Sequence, residues 1–159
     1  GNEDVLASAY VDVVKEIDLY EKSSNIKFDT IVCAVGTGST YAGLLKGLKE
    51  NRMSKEVLGY TIARSLESAV DSVEKYGIDT NSINILDVAL CGGYGEISTE
   101  LLVFVKKMWE KEGIFFDPVY SGKALWGFSK THENCCLNKK VLFIHTGSQP
   151  LAFDLLLNQ

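Results

Sequence analysis

The run Ala34-Val35-Gly36-Thr37-Gly38-Ser39-Thr40-Tyr41-Ala42-Gly43 carries the residue types best suited to chemistry in this chain. It directly follows Ile31-Val32-Cys33-Ala34-Val35, which is apolar on both faces, as a central parallel strand covered by helices must be. Such a junction aims backbone amides outward. Glycines let the main chain approach an anion, Ser39 and Thr40 can add hydroxyl donors, and a helix from about Tyr41 points its positive end at the ligand. Two readings of the loop stand side by side: a phosphate cradle, or a strand-to-helix turn with glycines for geometry and Ser39 as N-cap.

Other residues of the same kind recur further on. Cys91-Gly92-Gly93-Tyr94-Gly95 surrounds one tyrosine with glycines, a loop that holds a ring in place. In Asp117-Pro118-Val119-Tyr120-Ser121-Gly122-Lys123-Ala124, Pro118 forces Asp117 out of the helical region and sets Tyr120 at a helix mouth. Thr146-Gly147-Ser148 follows the clearest late strand. The loops at 36–40, 92–95 and 146–148 all follow strands, so in a parallel sheet they share the carboxyl edge, where open α/β sheets bind ligands. Amides, hydroxyls and two tyrosines suit a phosphorylated cofactor. The pattern is not a Walker loop, because no Gly-Lys-Ser/Thr stands at the required distance. Glycines at 36, 38 and 43 also miss the dinucleotide spacing, and no acidic residue ends the strand at Thr61-Ile62 to hold a ribose.

The elements that must position these residues read as follows. A helix capped by Asn2 or Asp4 carries Leu6, Tyr10, Val13, Val14, Ile17 and Tyr20 at helical spacing and ends at Ser23-Ser24-Asn25. A strand covers Thr30 to Val35, and a helix runs from Tyr41 to Asn51 with Leu44, Leu45 and Leu48 on one face. Val57 to Ile62 forms a second strand, after which Ser65 caps a helix to about Tyr76, closed by Gly77. Ile83 to Leu90 reads as a short strand, and Ile97 to Glu112 as a helix with Leu101, Leu102, Val105, Met108 and Trp109 along one face. A helix restarts near Ser121, Val141 to His145 is a strand, and Pro150 suits the first turn of a short terminal helix. Alternating strands and helices predict an α/β fold: a three-layer, open, mainly parallel sheet with helices on both faces, in a single domain over 1–159.

With 159 residues, 46% of them hydrophobic, the chain can bury one sizeable core. A net charge of −5 and scattered lysines argue against a nucleic-acid groove. No apolar run approaches the ~18 residues of a membrane span, and no signal peptide opens the chain, so a cytoplasmic protein is expected. Cys33 and Cys91 lie in apolar segments and Cys135-Cys136 in a polar connection, which predicts reduced thiols. His132, Cys135 and Cys136 lack the second pair that a zinc site needs, so no metal is expected. His132 is expected at the surface, and His145, at the end of a strand, as a hydrogen-bonded structural histidine. The chain opens Gly1-Asn2-Glu3-Asp4 without an initiator methionine, and its first helix has no preceding strand to dock it; a fragment and a cleaved tag both fit that start.

Four stretches carry a resemblance. In order they are Gly36-Thr37-Gly38-Ser39-Thr40-Tyr41-Ala42-Gly43-Leu44, Gly93-Tyr94-Gly95, Glu112-Gly113-Ile114-Phe115-Phe116-Asp117-Pro118-Val119-Tyr120-Ser121-Gly122-Lys123-Ala124, and Val141-Leu142-Phe143-Ile144-His145-Thr146-Gly147. Together they resemble the carboxy-terminal half of the pyridoxal-phosphate enzymes that include 1-aminocyclopropane-1-carboxylate deaminase and D-cysteine desulfhydrase. The resemblance implies the tryptophan synthase β-like fold, of which this chain would be the carboxy-terminal part of the large, cofactor-binding domain. It implies that Gly36, Thr37, Gly38, Ser39 and Thr40 hold the cofactor phosphate, that Tyr94 and Tyr120 face the substrate side of the ring as catalytic residues, and that Ser121 and Thr146 also bind the cofactor, Thr146 near the pyridine nitrogen. A neutral hydroxyl there leaves that nitrogen largely unprotonated, whereas a carboxylate would favour the pyridinium.

Where ring-opening members carry a glutamate after the matching tyrosine, and desulfhydrases a threonine, this chain has Ser121. The resemblance thus points to β-elimination from a small D-amino acid such as D-cysteine, giving pyruvate, ammonia and sulfide, ahead of ring opening. It also implies that the lysine holding the cofactor as a Schiff base lies upstream of anything matching this chain, since neither Lys46 nor Lys123 occupies that position. The chain alone is therefore expected to be inactive, and the full-length protein to be a homodimer. Without the resemblance, Tyr94 and Tyr120 read as packing aromatics and Lys123 as a solvated or helix-mouth cation. Two other functions compete: a non-catalytic phosphate-ligand-binding module of the same descent, and a nucleotide-binding Rossmann-like domain.

Overall fold

A computed structural model of the chain describes residues 2–87, 96–132 and 139–147. Helix α1 (Asn2–Ser24) leads into strand β1 (Thr30–Val35), α2 (Ser39–Glu50), β2 (Glu56–Thr61), α3 (Leu66–Glu74), β3 (Ile85–Asp87), α4 (Thr99–Glu112), α5 (Ser121–Thr131) and β4 (Val141–Phe143). The four strands form a sheet in the order β3-β2-β1-β4, and every pair is parallel. Among the described residues this is the α/β sheet that the alternating pattern demands.

Strand β1 sets the layers. Ile31, Cys33 and Val35 point into one core with Ala7, Val14 and Ile17 of α1, Tyr41, Leu44 and Leu48 of α2, and Ala69 and Val73 of α3. Val32 points the other way, joining Leu58 and Tyr60 of β2, Leu101 and Val105 of α4, and Ala124 and Trp126 of α5. Because side chains alternate along a strand, an apolar residue at every position needs a helix layer on each face. The sheet is thus covered on both sides.

Details of the helix faces depart from the sequence pattern. Leu6 and Tyr20, expected on the packing face of α1, are 52% and 53% exposed. The buried stripe is Ala7, Val14 and Ile17 instead. The cause is a close helix crossing: a Cβ at Gly43 of α2 would stand 2.3 Å from the Ala7 carbonyl oxygen, so the two backbones nearly touch there. That contact fixes which side of α1 turns inward, and Tyr20 stacks on Phe28 with ring centroids 6.1 Å apart. Trp109, expected on the inner face of α4, is 43% exposed and packs edge-on against Phe115.

Boundaries shift by a residue or two. Ser98 caps α4 by accepting the Leu101 amide at 3.2 Å, so the helix starts at Thr99 instead of Ile97. Strand β4 ends at Phe143 although the apolar run continues to His145, and the Ile144 amide makes a last bond to the Val32 carbonyl at 2.8 Å. Of the strand expected over 83–90, β3 covers Ile85–Asp87 and residues 88–90 lie outside the described residues, as does the expected terminal helix.

Tyr41 ties three elements together in the core. Its hydroxyl proton is shared between the carbonyls of Val57 (3.1 Å) and Asn84 (3.2 Å), and its oxygen accepts the Asn84 amide at 2.7 Å. Burial pushes this phenol up to about 12 from 10.0, and pushes the fully buried Cys33 thiol up to about 12 from 9.0. Both acids stay neutral in the folded chain while the unfolded chain ionises them above their ordinary values. Neither group affects stability below about pH 8; as pH rises toward 12 the unfolded state is favoured, by at most about 1.4 kcal/mol per pH unit per group. Chemical denaturation across pH 8 to 11 should therefore show declining stability, with a shallower decline for Cys33→Ala; an identical slope for that variant would contradict the assignment.

Candidate functional site

A cleft of about 450 Å³ opens at the carboxyl edge of the sheet. The β1–α2 loop lines it with Gly36, Thr37 and Thr40, the end of β2 with Ile62, Ala63 and Arg64, the mouth of α5 with Tyr120, and the turn after β4 with Thr146. Ala34, near the end of β1, forms its floor.

Gly38, at a left-handed φ of 85°, is the N-cap of α2, and no side chain caps this helix. A Cβ on Gly38 would sit 3.0 Å from Val73 Cγ2 and 3.3 Å from the Ser72 carbonyl carbon, so only glycine both takes this conformation and lets the loop press against α3. The first intrahelical bond runs from the Ala42 amide to the Gly38 carbonyl at 2.9 Å. Amides of the first turn thus lack intrahelical acceptors and carry the helix's positive pole toward the cleft. Ser39, read in one alternative as the N-cap, begins the helix instead; its hydroxyl lies 3.2 Å from that of Thr37.

Tyr120 owes its place to Asp117. That carboxylate is fully buried; one oxygen accepts the amides of Val119 (3.0 Å) and Tyr120 (2.5 Å), the other the Ser121 amide (2.9 Å) and hydroxyl (2.5 Å). It replaces the missing intrahelical acceptors at the start of α5 and locks the bend that Pro118 begins. Tyr120 is thereby held at the cleft wall. Ser121 turns the other way, fully buried with its hydroxyl on Asp117 and outside the cleft lining. Lys123 is 1% exposed and so is not a solvated cation.

Thr146 is positioned by its neighbour. His145 Nε2–H donates to the Phe115 carbonyl at 2.8 Å, while Nδ1 accepts the Gly147 amide at 3.1 Å, an assignment of the neutral tautomer made from the bonding pattern. The ring stacks on Phe116 with centroids 4.7 Å apart. One imidazole therefore joins the segment leading to Tyr120 to the turn bearing Thr146. His132 is half-buried, not exposed as expected: its Nδ1 lies 3.0 Å from the Tyr60 hydroxyl and its ring stacks on Phe128 at 5.0 Å.

Gly36, Thr37, Thr40, Tyr120 and Thr146 come together in one cleft, Gly38 and Ser39 lie just behind it, and Ser121 does not reach it. Tyr94, Cys91, Cys135 and Cys136 lie outside the described residues. Sequence reasoning passed over Arg64, the one charged residue of the lining. Its position two residues beyond a parallel strand, at the edge already chosen for the loops, was the available signal.

A family model described as "Pyridoxal-phosphate dependent enzyme" matches residues 1–147. The sequence is 33% identical over 153 residues to a putative 1-aminocyclopropane-1-carboxylate deaminase of Pyrococcus abyssi, covering 91% of this chain and 46% of that protein. It is 31% identical over 164 residues to the D-cysteine desulfhydrase of Serratia proteamaculans, covering 96% and 50%. A solved structure described as an ACC deaminase homologue superposes with a TM-score of 0.74 at 32% identity, over 96% of this chain and 49% of that one. The chain thus spans about half the length of the relatives it matches.

Asp117→Ala strands three backbone donors and a hydroxyl in a buried bend, and should lower unfolding stability by about 2–4 kcal/mol. Urea denaturation measures this, and a loss smaller than about 1 kcal/mol would show that the carboxylate does not hold the α5 mouth.

Proposed function

Because the chain belongs to the pyridoxal-phosphate dependent enzyme family, we propose that its cleft holds that cofactor in a lyase or deaminase acting on a small amino acid. The observation that carries the reading is the convergence of Gly36, Thr37, Thr40, Tyr120 and Thr146 on one cleft at the carboxyl edge. The residues present fit a phosphate ester: an uncapped first turn of α2, a glycine cradle, hydroxyls, and a lining without any acidic side chain among the described residues.

Pyridoxal phosphate, when bound, supplies an electron sink that stabilises negative charge at the α carbon of an amino acid. This chain's part is to bind, orient and move protons. Amides of residues 36–40 would hold the phosphate, with the hydroxyls of Thr37 and Thr40 beside them and that of Ser39 behind, 3.2 Å from Thr37. Thr146 would offer the pyridine nitrogen a neutral partner, which would leave that nitrogen largely unprotonated. The Tyr120 phenol, on a backbone held by Asp117, would hold or transfer a proton at its Oη on the substrate side, the role that the resemblance also gives Tyr94. The choice of β-elimination from D-cysteine over opening of a cyclopropane ring rests on the motif, in which Ser121 stands where desulfhydrases carry a hydroxyl, and not on a cleft contact, since the Ser121 side chain turns to Asp117. The likeness to a protein named D-cysteine desulfhydrase supports this choice.

No lysine lines the cleft among the described residues. Lys46 lies over the Tyr76 ring at 5.8 Å, and Lys123 is buried in α5. The covalent anchor is therefore a lysine outside this chain, which by itself binds the cofactor without turning over substrate.

Borohydride reduction of the chain with pyridoxal phosphate should leave its lysines without stoichiometric label; efficient labelling of one of them would overturn the absent-anchor reading. The full product of the gene should release sulfide and pyruvate from D-cysteine faster than it makes 2-oxobutyrate from 1-aminocyclopropane-1-carboxylate, and the reverse order would assign it to the ring-opening reaction.

A further inference from the structure

We propose that Arg64 is a second contact for the cofactor phosphate, held beside the β1–α2 loop by Ser72. The inference rests on the phosphate reading of that loop and adds a charged side chain to it. Arg64 lines the cleft together with Gly36, Thr37 and Thr40 and is the only charged residue of that lining. Its Nη1 donates to Ser72 Oγ at 3.0 Å. Ser72 is 5% exposed, and its own hydroxyl proton goes to the Ser68 carbonyl at 2.7 Å, which leaves a lone pair for the guanidinium. The head of the arginine is thus anchored on α3.

Ser72 is also where the phosphate loop touches α3, since its carbonyl carbon lies 3.3 Å from a Cβ built on Gly38. Guanidinium, Ser72 and Gly38 form a chain of contacts that sets the charge at the loop end of the cleft. Among the described residues no carboxylate pairs with Arg64. An arginine fork and an uncapped helix N-terminus, both positive, stand close together; a dianion satisfies both, with two oxygens matching the fork. Position in the sheet sets Arg64 away from the residue assigned to the pyridine nitrogen. In the order β3-β2-β1-β4, Arg64 follows β2 and Thr146 follows β4, so they flank the loop from opposite sides. The alternative is that Arg64 only staples the β2–α3 turn through Ser72.

Equilibrium binding of pyridoxal phosphate and of phosphate-free pyridoxal to this chain, at low salt, separates the two. Arg64→Gln should weaken pyridoxal phosphate about tenfold and leave pyridoxal unchanged, with Arg64→Lys between wild type and Gln. Inorganic phosphate should lose potency as a competitor to the same degree, and about 0.5 M salt should shrink the difference. Melting temperatures verify that the variants fold, and Ser72→Ala, which frees the guanidinium without removing it, should give a smaller loss of the same selectivity. Equal weakening of both ligands, or unchanged affinity for pyridoxal phosphate, overturns the proposal. So does an effect confined to the KM for D-cysteine in the full gene product, which would assign Arg64 to the substrate. A wild-type chain that binds neither pyridoxal phosphate nor inorganic phosphate defeats the phosphate-loop reading itself, whereas normal wild-type binding unaltered in Arg64→Gln defeats only the role of Arg64.

Discussion

Everything at the cleft follows from the register of one strand. Thr30 of β1 pairs with Glu56 on one side and with Val141 on the other, and all the pairings are parallel. Strands that start level and run the same way end level, so the chain leaves β1, β2 and β4 at a common edge. Residues 36–40, 62–64 and 145–147 therefore emerge as neighbours although the first and last of these groups are more than a hundred positions apart in sequence. A slip of one residue in β1 would turn Ile31, Cys33 and Val35 toward the layer built for Val32, which the two apolar cores forbid. Core packing thus specifies the site indirectly, by leaving the strand a single register.

The cleft's chemistry depends on groups left unsatisfied by the fold. Helices α3 and α4 close their first turns with Ser65 and Ser98, and α5 with Asp117. Helix α2 has no side-chain cap, and its N-cap is a left-handed glycine. With glycine at the N-cap in place of a capping side chain, the bare end of α2 gives up a few tenths of a kcal/mol that an anion would recover. The sacrifice stays small because Gly38 is pressed on Val73 and Tyr41 is bonded to Val57 and Asn84, which hold the loop without using its outward amides.

Much of this was legible in the sequence. The β1–α2 unit could be read because an apolar strand, a glycine-rich turn and a helical stripe follow within twenty residues, all local signals. The mouth of α5 was marked by Pro118. What stayed hidden was set by contacts distant in sequence. Leu6 and Tyr20 have the spacing of a packing face, yet the approach of Gly43 to Ala7 turns that face away. Ser121 sits beside Tyr120 in the chain, but Asp117 captures its hydroxyl, so adjacency in the motif does not become adjacency in the cleft. Arg64 was overlooked because a lone arginine after a strand has no local pattern; only the pairing of β2 with β1 brings it to the loop.

A common principle links the walls. Three walls of the cleft are backed by a residue that does not itself line it: Tyr120 by Asp117, the turn bearing Thr146 by His145, and Arg64 by Ser72. In the first two cases the aiming bond is made to the backbone, so it fixes the position of the wall whatever side chain stands there. The identity of the residues facing a substrate can then change without disturbing the frame that presents them. Proteins sharing this fold and about a third of their residues can, on that arrangement, vary the side chains that face the cleft while keeping the frame behind them.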